Sequence, residues 1–356
     1  MALGSAQNTG ATNPSPFGAG TLQLPVAERI AAQLVRALRG RRSCAEHSRR
    51  LGYASNIVRR WESAECFPTA AVFLRAHAQT HPQIRRAFGE FLKRSPEWLD
   101  ARDPFAHAGI TALLRDLRGK TPIGVLAART GLNRYSIGRW LKGSAQPKLP
   151  ELLCLVEAAT LRLLDFVATL VDPSRVPALA GEWHKLRRAR EVAYDAPWSH
   201  AVLRALELDA YQQARPSVAS ALLASQLGLP GDEVERGLRA LAESGQIKRA
   251  RGKWQVERVL AVDTSADPER SRALKHAWTR VAAERLERGA PGNYGYSVFA
   301  ISKHGLGQLK ELHLQYVRAM QSLIAESEPA ECVGLYCTQL LDLGAVAPSM
   351  APPRGA

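Results

Sequence analysis

The sequence lacks the short patterns that hold metals, phosphates or catalytic nucleophiles. It contains no paired CxxC, no GxxxxGK[ST], no HExxH and no GxSxG. Each of these patterns places ligating or reactive groups at a fixed spacing. We therefore expect a protein that is not an enzyme and that uses neither a metal nor a cofactor.

Cysteine is scarce and long apolar runs are missing. The five cysteines form no close pair, which is typical of reduced thiols in the cytosol. No segment approaches the roughly 20 apolar residues that a membrane helix needs. Residues 1–24 have neither a basic start nor an apolar run, so they indicate a flexible tail rather than a signal peptide, and Ala/Pro-rich residues 347–356 predict another tail. We expect a cytoplasmic, nucleoid-associated protein without membrane contact.

Acidic residues are few relative to basic ones. The chain carries 48 Lys and Arg against 33 Asp and Glu, a net charge of +15. Residues 1–180 have 25 basic and 13 acidic side chains, or +12, whereas residues 181–356 have 23 and 20, or +3. This imbalance favours a polyanionic partner for the first half. The alternative interpretation is that these charges lie on solvent-exposed helix faces and serve only solubility.

The most informative stretch runs from Lys120 to Pro147, KTPIGVLAARTGLNRYSIGRWLKGSAQP. Thr121 is suited to cap a first helix, and Gly131 is suited to end it. Asn133 then caps a second helix over Arg134–Leu141. The pattern predicts two short helices that are joined by a tight turn.

The second of these helices has one apolar and one basic face. Ile137 and Trp140 lie three residues apart and should face inward. The outward positions are then polar, aromatic or basic: Arg134, Tyr135, Ser136, Arg139 and Lys142.

The segments VLAARTGL, NRYSIGRW and KG followed by Pro147 resemble the helix-turn-helix of lambda-repressor/Xre-like DNA-binding domains. The resemblance implies that the second helix enters the major groove of DNA. Ile123 and Arg134 stand where the family usually has glutamine, which leaves the base preference open. The resemblance assigns base contacts to the helix and phosphate contacts to its flanks, at Lys120, Thr121, Asn133, Arg134, Tyr135, Ser136, Arg139 and Lys142.

The same pattern occurs earlier in the chain, at an offset of 79 residues and without a gap. Gly52 falls on Gly131, and Arg60-Trp61 falls on Arg139-Trp140. This spacing indicates an internal duplication. Ala64 replaces Gly143, and the corresponding DNA contacts would come from Ser55, Asn56, Arg59 and Arg60. An exposed arginine face that touches nothing is the alternative.

A third unit is expected from Ser199 onward. Three helices and a hairpin, ending in GLPGDEVERGLRALAESGQIKRARGKWQV, indicate a winged helix. Its wing could hold phosphates through Lys248, Arg249, Arg251 and Lys253. The third helix is acidic, however, which favours a structural or dimerising winged helix over one that contacts bases.

The C-terminal part is predicted to be a small α+β unit. We expect a helix over 267–288 with Leu286 among its inward residues, a strand over 296–302, a helix over 304–326 and a strand over 332–341. Since two strands make a poor sheet, they would need a further partner, such as a second subunit. The apolar segment 160–171 is either core or a dimer contact.

The order as a whole resembles a bacterial transcriptional-regulator-like family. The expected class is mainly α, with tandem five-helix helix-turn-helix domains, a winged helix and a C-terminal α+β unit. The expected divisions are residues 1–24 (tail), 25–105 and 106–178 (helix-turn-helix domains), 179–262 (linker helix and winged helix), 263–346 (α+β unit) and 347–356 (tail).

The expected function is sequence-specific binding of double-stranded DNA by a homodimeric transcriptional regulator. An effector, whether small molecule or protein, cannot be identified from the sequence. The alternative hypothesis is an interaction scaffold or adaptor whose helix-turn-helix and winged-helix units have been diverted to protein contacts.

Overall fold

A computed structural model describes residues 22–257, 262–265, 267–327 and 329–344. The tail predicted for residues 347–356, and residues 1–21 of the N-terminal tail, lie outside the described residues. Within them the protein is mainly α-helical, and its one sheet has two strands. The mainly α class expected from the sequence is confirmed.

The first tandem unit comprises five helices and a short sixth that leads out of it. They are α1 Leu24–Arg39, α2 Cys44–Arg50, α3 Ile57–Glu62, α4 Ala70–Ala78, α5 Ile84–Leu92 and α6 Glu97–Asp100. Side-chain caps begin two of them, because Ser43 accepts from the backbone N–H of Glu46 and Thr69 from that of Val72.

The second tandem unit repeats this order of five helices. They are α7 His107–Arg118, α8 Ile123–Thr130, α9 Arg134–Lys142, α10 Leu149–Thr160 and α11 Leu163–Ala168. The first turn differs slightly from expectation, because Pro122 rather than Thr121 occupies the N-cap of α8. Proline fixes the extended φ that this position needs, and Thr121 makes no cap.

The tandem units share one hydrophobic core, whose buried residues run from Leu22 to Leu186. Helix α10 lies at its centre and packs against α1, α7 and α8. Nine residues of α10 are buried, as expected for a helix that is apolar on every side. Leu22 is itself buried at 1% exposure, so the predicted tail ends before it.

The apolar segment 160–171 belongs to this core. The ring of Phe166 meets those of Phe88 and Phe91 edge-on at centroid distances of 5.6 Å. Leu163, Phe166 and Val167 are almost fully buried within the chain. The alternative that this segment is an open dimer contact is therefore wrong.

Helix α12, Pro177–Asp195, bridges the tandem units and the rest of the protein. It packs against α1 and α11, and also against three later helices: α13 (Ser199–Ala205), α16 (Gly231–Glu243) and α17 (Pro268–Glu287). Arg190 on α12 is buried and forms an ion pair with Asp165 of α11. Helix α12 thus contacts both the tandem units and the helices that follow it.

The third unit consists of four helices and a β-hairpin. They are α13 Ser199–Ala205, α14 Asp209–Gln213, α15 Ala219–Leu227, α16 Gly231–Glu243, β1 Ile247–Ala250 and β2 Lys253–Val256. The strands pair antiparallel, with Ile247 opposite Val256. The two-residue turn has φ of 52° at Arg251 and 77° at Gly252, as type I′ hairpins require.

The C-terminal part contains two long helices, α17 Pro268–Glu287 and α18 Lys303–Glu326. Leu274 of α17 is buried, and Trp278 meets Trp198 edge-on at 5.3 Å. Leu286 is 54% exposed, so its expected inward position is wrong. It lies in the last turn of α17.

The two strands predicted for the C-terminal unit are absent from the described residues. Residues 296–302 and 332–341 form neither helix nor strand, and the sheet in the described residues contains only β1 and β2. The α+β expectation for this unit is therefore wrong. Both segments have strand-like composition, but a strand forms only where a second segment satisfies its backbone groups.

Candidate nucleic-acid interface

Helices α8 and α9 meet at a tight turn that the sequence builds locally. Gly131 ends α8 in the left-handed conformation, with φ of 67°. The Asn133 side chain accepts a hydrogen bond of 2.8 Å from the backbone N–H of Tyr135 and thereby caps α9. Asn133 is exposed, but this contact already uses its side-chain oxygen.

Burial of one face fixes the orientation of α9. Ile137, Trp140 and Leu141 are all less than 8% exposed. The Arg115 guanidinium also donates from Nε to the Leu141 carbonyl at 2.8 Å, which ties the end of α9 to α7. The opposite face of α9 is consequently held outward on a rigid support.

That outer face is basic and unoccupied by protein. Tyr135 is 84% exposed, and Arg134, Arg139 and Lys142 are exposed as well. Across the described part of the chain, no hydrogen bond or ion pair engages the side-chain nitrogens of these three cations. Ser136 is half-buried at the edge of the face.

The predicted phosphate contacts before α8 differ from each other. Lys120 is exposed and extends from the turn between α7 and α8. Thr121 is half-buried, and its carbonyl accepts a 2.9 Å hydrogen bond from Arg118. Lys120 is thus free to meet an anion, whereas Thr121 offers only its hydroxyl.

The corresponding helices of the first tandem unit, α2 and α3, have a similar arrangement. Buried Ser48 on α2 accepts from the backbone N–H of Val58 at 3.1 Å and so connects the two helices. Trp61 is 5% exposed, like its counterpart Trp140 at 6%. The predicted contact residues are all exposed: Ser55, Asn56, Arg59 and Arg60.

Arg60 has one protein partner. Its Nε lies 3.4 Å from a carboxylate oxygen of Glu65, and both side chains are more than half exposed. Such an exposed pair contributes only about 0–1 kcal/mol, so a phosphate or a base can displace Glu65 at small cost.

The last turn of α3 is held by an ion pair that α9 lacks. Two nitrogens of Arg39 bind the two carboxylate oxygens of Glu62, at 2.5 and 3.0 Å. This hydrogen bonding raises the pKa of the Arg39 guanidinium. Leu141 occupies the place of Glu62 in the second tandem unit, so packing replaces the ion pair there.

The surface around α2 is electropositive. Burial is the main cause that lowers the pKa of His47, and the neighbouring Arg42, Arg39 and Arg50 lower it further. A surface that already carries these arginines disfavours another positive charge. It would attract an anion for the same reason.

Two basic residues of this surface are missing from the sequence-based prediction. Arg41 and Arg42 stand at the positions equivalent to Lys120 and Thr121, and Arg41 is exposed. The sequence alone could have identified them, because the offset of 79 residues aligns Arg41 with Lys120 and Arg42 with Thr121.

The hairpin of the third unit offers fewer free cations than expected. Lys253 donates from Nζ to the carbonyls of Tyr211, Gln212 and Ala214 at 3.3, 2.6 and 3.1 Å. It thus satisfies the C-terminal carbonyls of α14 rather than facing solvent as a phosphate ligand.

The other three cations of the hairpin differ in whether a protein group already contacts them. Lys248 lies 3.3 Å from a carboxylate oxygen of Glu257, and Arg249 lies 5.6 Å from the ring centroid of Trp254. Arg251 projects from the turn and has no ion pair among the described residues.

The outer face of α16 carries charges of both signs with an acidic excess. Val234, Leu238 and Leu241 are buried, which turns Asp232 and Glu235 to solvent together with two arginines. One of these, Arg236, pairs with Asp232 and Glu233. Each tandem unit therefore has exposed cations on its second short helix, whereas the third unit is mixed in charge.

The described residues contain no helix whose length and hydrophobicity would allow it to cross a membrane. No three of their His, Cys, Asp and Glu side chains are grouped as a metal site would require.

Comparison with known protein families gives one match. Residues 178–340 are similar to a family described as a domain of unknown function, DUF4423. No curated protein and no solved structure matches the chain. The similarity covers α12, the third unit and the C-terminal helices, and leaves the tandem units outside it.

Proposed function

We propose that the protein is a sequence-specific DNA-binding transcriptional regulator. In this proposal α2–α3 and α8–α9 are helix-turn-helix units, and α3 and α9 enter the major groove of double-stranded DNA. The third unit is a winged helix that supports the assembly, and the protein acts in the cytoplasm on the nucleoid. Its regulatory sign and its effector are left open.

The observation that carries the proposal is the repeated exposed arginine beside a buried tryptophan. Trp61 and Trp140 anchor α3 and α9 in the core, while Arg60 and Arg139 face solvent one position earlier. An anchored helix with an exposed guanidinium is suited to donate two hydrogen bonds to a guanine edge.

The remaining cations are suited to the phosphate backbone. Lys120 and Lys142 flank the turn and the end of α9, and both are exposed. In the first tandem unit, Arg41 occupies the position equivalent to Lys120. Phosphate contacts of this kind supply affinity without base preference.

Selection of duplexes from a random pool with the purified protein is the first experiment. We expect a preferred sequence whose binding weakens as salt is raised, because bound cations release counterions from DNA. No measurable binding to any duplex at about 50 mM salt would overturn the proposal.

Variants then separate base contact from phosphate contact. Arg139→Ala should weaken binding to the selected duplex by about 1–3 kcal/mol and relax the preference at one base pair. Lys142→Ala should weaken binding to all duplexes alike and reduce the salt dependence. Arg272→Ala, which removes an exposed cation from α17, is the matched control and should change neither. Wild-type affinity in Arg139→Ala would contradict a base contact.

A protein-interaction scaffold is the second candidate. The exposed apolar side chains of the C-terminal part favour it, since Tyr296, Val298 and Leu341 are 96, 80 and 70% exposed. The acidic excess on the outer face of α16 is also unsuited to DNA. A homodimer could form through the same apolar side chains, which sedimentation over a range of concentrations would detect.

A further inference from the structure

The two tandem units meet through a short antiparallel contact. The backbone N–H of Ala70 donates to the carbonyl of Pro147, and the N–H of Leu149 donates to the carbonyl of Pro68, both at 2.9 Å. Thr69 lies opposite Lys148 as an isolated bridge.

Thr69 lies directly opposite its own duplicate, Lys148, and on either side of it Ala70 faces Pro147 and Pro68 faces Leu149. Pro68, Thr69 and Ala70 become Pro147, Lys148 and Leu149 when 79 is added to their numbers. In an antiparallel pair a local two-fold axis passes between opposite residues and interchanges the flanking hydrogen bonds. Here it passes between Thr69 and Lys148, so it relates Pro68–Ala70 of the first unit to the equivalent segment of the second. The contact has the self-complementary form of a two-fold dimer interface, within one chain.

The length of the connecting chain limits how far α3 and α9 can lie from this internal axis. Glu62 at the end of α3 lies seven positions before Thr69, and Leu141 lies seven positions before Lys148. An extended chain spans at most about 3.6 Å per residue, so each of these positions lies within about 25 Å of the axis. Two such positions can therefore be separated by the roughly 34 Å of one DNA turn.

The two helices nevertheless present different side chains. Arg60 and Arg139 are the shared outward cation, whereas the other equivalent outward positions differ. These are Ser55 and Arg134, Asn56 and Tyr135, Arg59 and Gly138, and Ser63 and Lys142.

On the basis of the proposed function, we propose that one chain occupies an entire operator of two inverted but unlike half-sites. Helix α3 contacts one half-site and α9 contacts the other, in opposite senses about the internal axis. Each half-site contains one guanine that the shared arginine contacts, at symmetric positions. The base pairs around it differ between the half-sites, because the neighbouring side chains differ.

The experiment uses the full-length protein and the duplex selected from the random pool. Stoichiometry is measured by native mass spectrometry, and affinity is measured on three altered duplexes. One carries the second half-site in reversed orientation, one has five extra base pairs between the half-sites, and one has two copies of the same half-site. We expect one chain per pair of half-sites and binding at least about tenfold weaker on each altered duplex.

Arg60→Ala and Arg139→Ala provide the second measurement. Each variant should lose the guanine preference in one half-site only, and the two variants should affect opposite half-sites. Arg272→Ala should retain both preferences.

The outcomes separate this inference from the proposed function. Any of three results would overturn the inference while DNA binding stands. They are two chains per pair of half-sites, equal affinity for the reversed duplex, and loss of the preference for the same guanine in both variants. Failure to bind any duplex would overturn both.

Discussion

At the scale of single residues, the duplication makes each unit a comparison for the other. Ala64 ends α3 with φ of 61°, where the second unit has Gly143 with φ of 78°. An L-residue in this left-handed region costs roughly 1–2 kcal/mol, which glycine avoids. The first unit therefore contains a strained turn that the second unit does not.

Ala64→Gly should stabilise the protein by about 0.5–1 kcal/mol. Relief of the left-handed strain exceeds the roughly 0.4–1 kcal/mol that glycine costs through the freedom of the unfolded chain. The reverse change, Gly143→Ala, should destabilise it, because a Cβ there would also meet the Thr111 hydroxyl at 3.2 Å. Urea unfolding of the two variants measures both effects. A loss of stability in Ala64→Gly would show that the backbone at Ala64 is not strained.

At the scale of secondary-structure elements, the hairpin and α14 depend on one ammonium group. The three carbonyls that Lys253 contacts are at or just after the end of α14, where the last carbonyls of a helix lack regular intrahelical donors. Lys253 also lies 5.7 Å from the ring centroid of Tyr211. The hairpin is thereby fixed to a helix that precedes it by some 40 residues.

Lys253→Met should reduce the free energy of unfolding by about 1–3 kcal/mol, because charged hydrogen bonds are lost while the apolar stem is kept. Lys248→Met is the matched control in the same hairpin. Its ion pair with Glu257 is exposed, so the change should remain within about 0.5 kcal/mol. Equal effects in both variants, measured by urea unfolding, would show that the carbonyl contacts of Lys253 contribute little.

At the scale of the whole molecule, Asp263 joins the tandem units to the segment that leads into α17. Its carboxylate binds Lys93 of the α5 C-terminus at 2.8 Å and also Arg162, which precedes α11. Burial alone would raise the pKa of Asp263, but the hydrogen bond from Lys93 and the charge of Arg162 outweigh it and hold the pKa well below its usual range.

The stability that this contact contributes should depend on pH. A carboxylate with a lowered pKa in the folded state stabilises the protein above its unfolded pKa of about 3.9, and the contribution declines as pH falls below that value. Asp263→Asn should therefore destabilise the protein at pH 7 and do so less at pH 3. Urea unfolding of wild type and variant at both pH values tests this. A difference that did not shrink at pH 3 would contradict the ionic origin.

Much of the local structure could be predicted from the sequence, because its causes lie within a few residues. Gly131, Asn133 and the buried Trp140 specify the α8–α9 turn through a backbone conformation, a cap and an apolar face. The exposure of Arg139 follows from the same helical period. The strands predicted for 296–302 and 332–341 failed because strand composition does not supply a partner.

The sequence by itself determined the duplication and its offset, the helices with their caps, and the side of each helix that carries the arginines. Only the tertiary structure decided that the tandem units share one core, that Lys253 is held by α14, and that Pro68–Ala70 meets its own duplicate at an internal axis. These features depend on which distant surfaces come together. Short-range hydrogen bonding and helical periodicity do not encode that choice, since they extend over only a few residues of the chain.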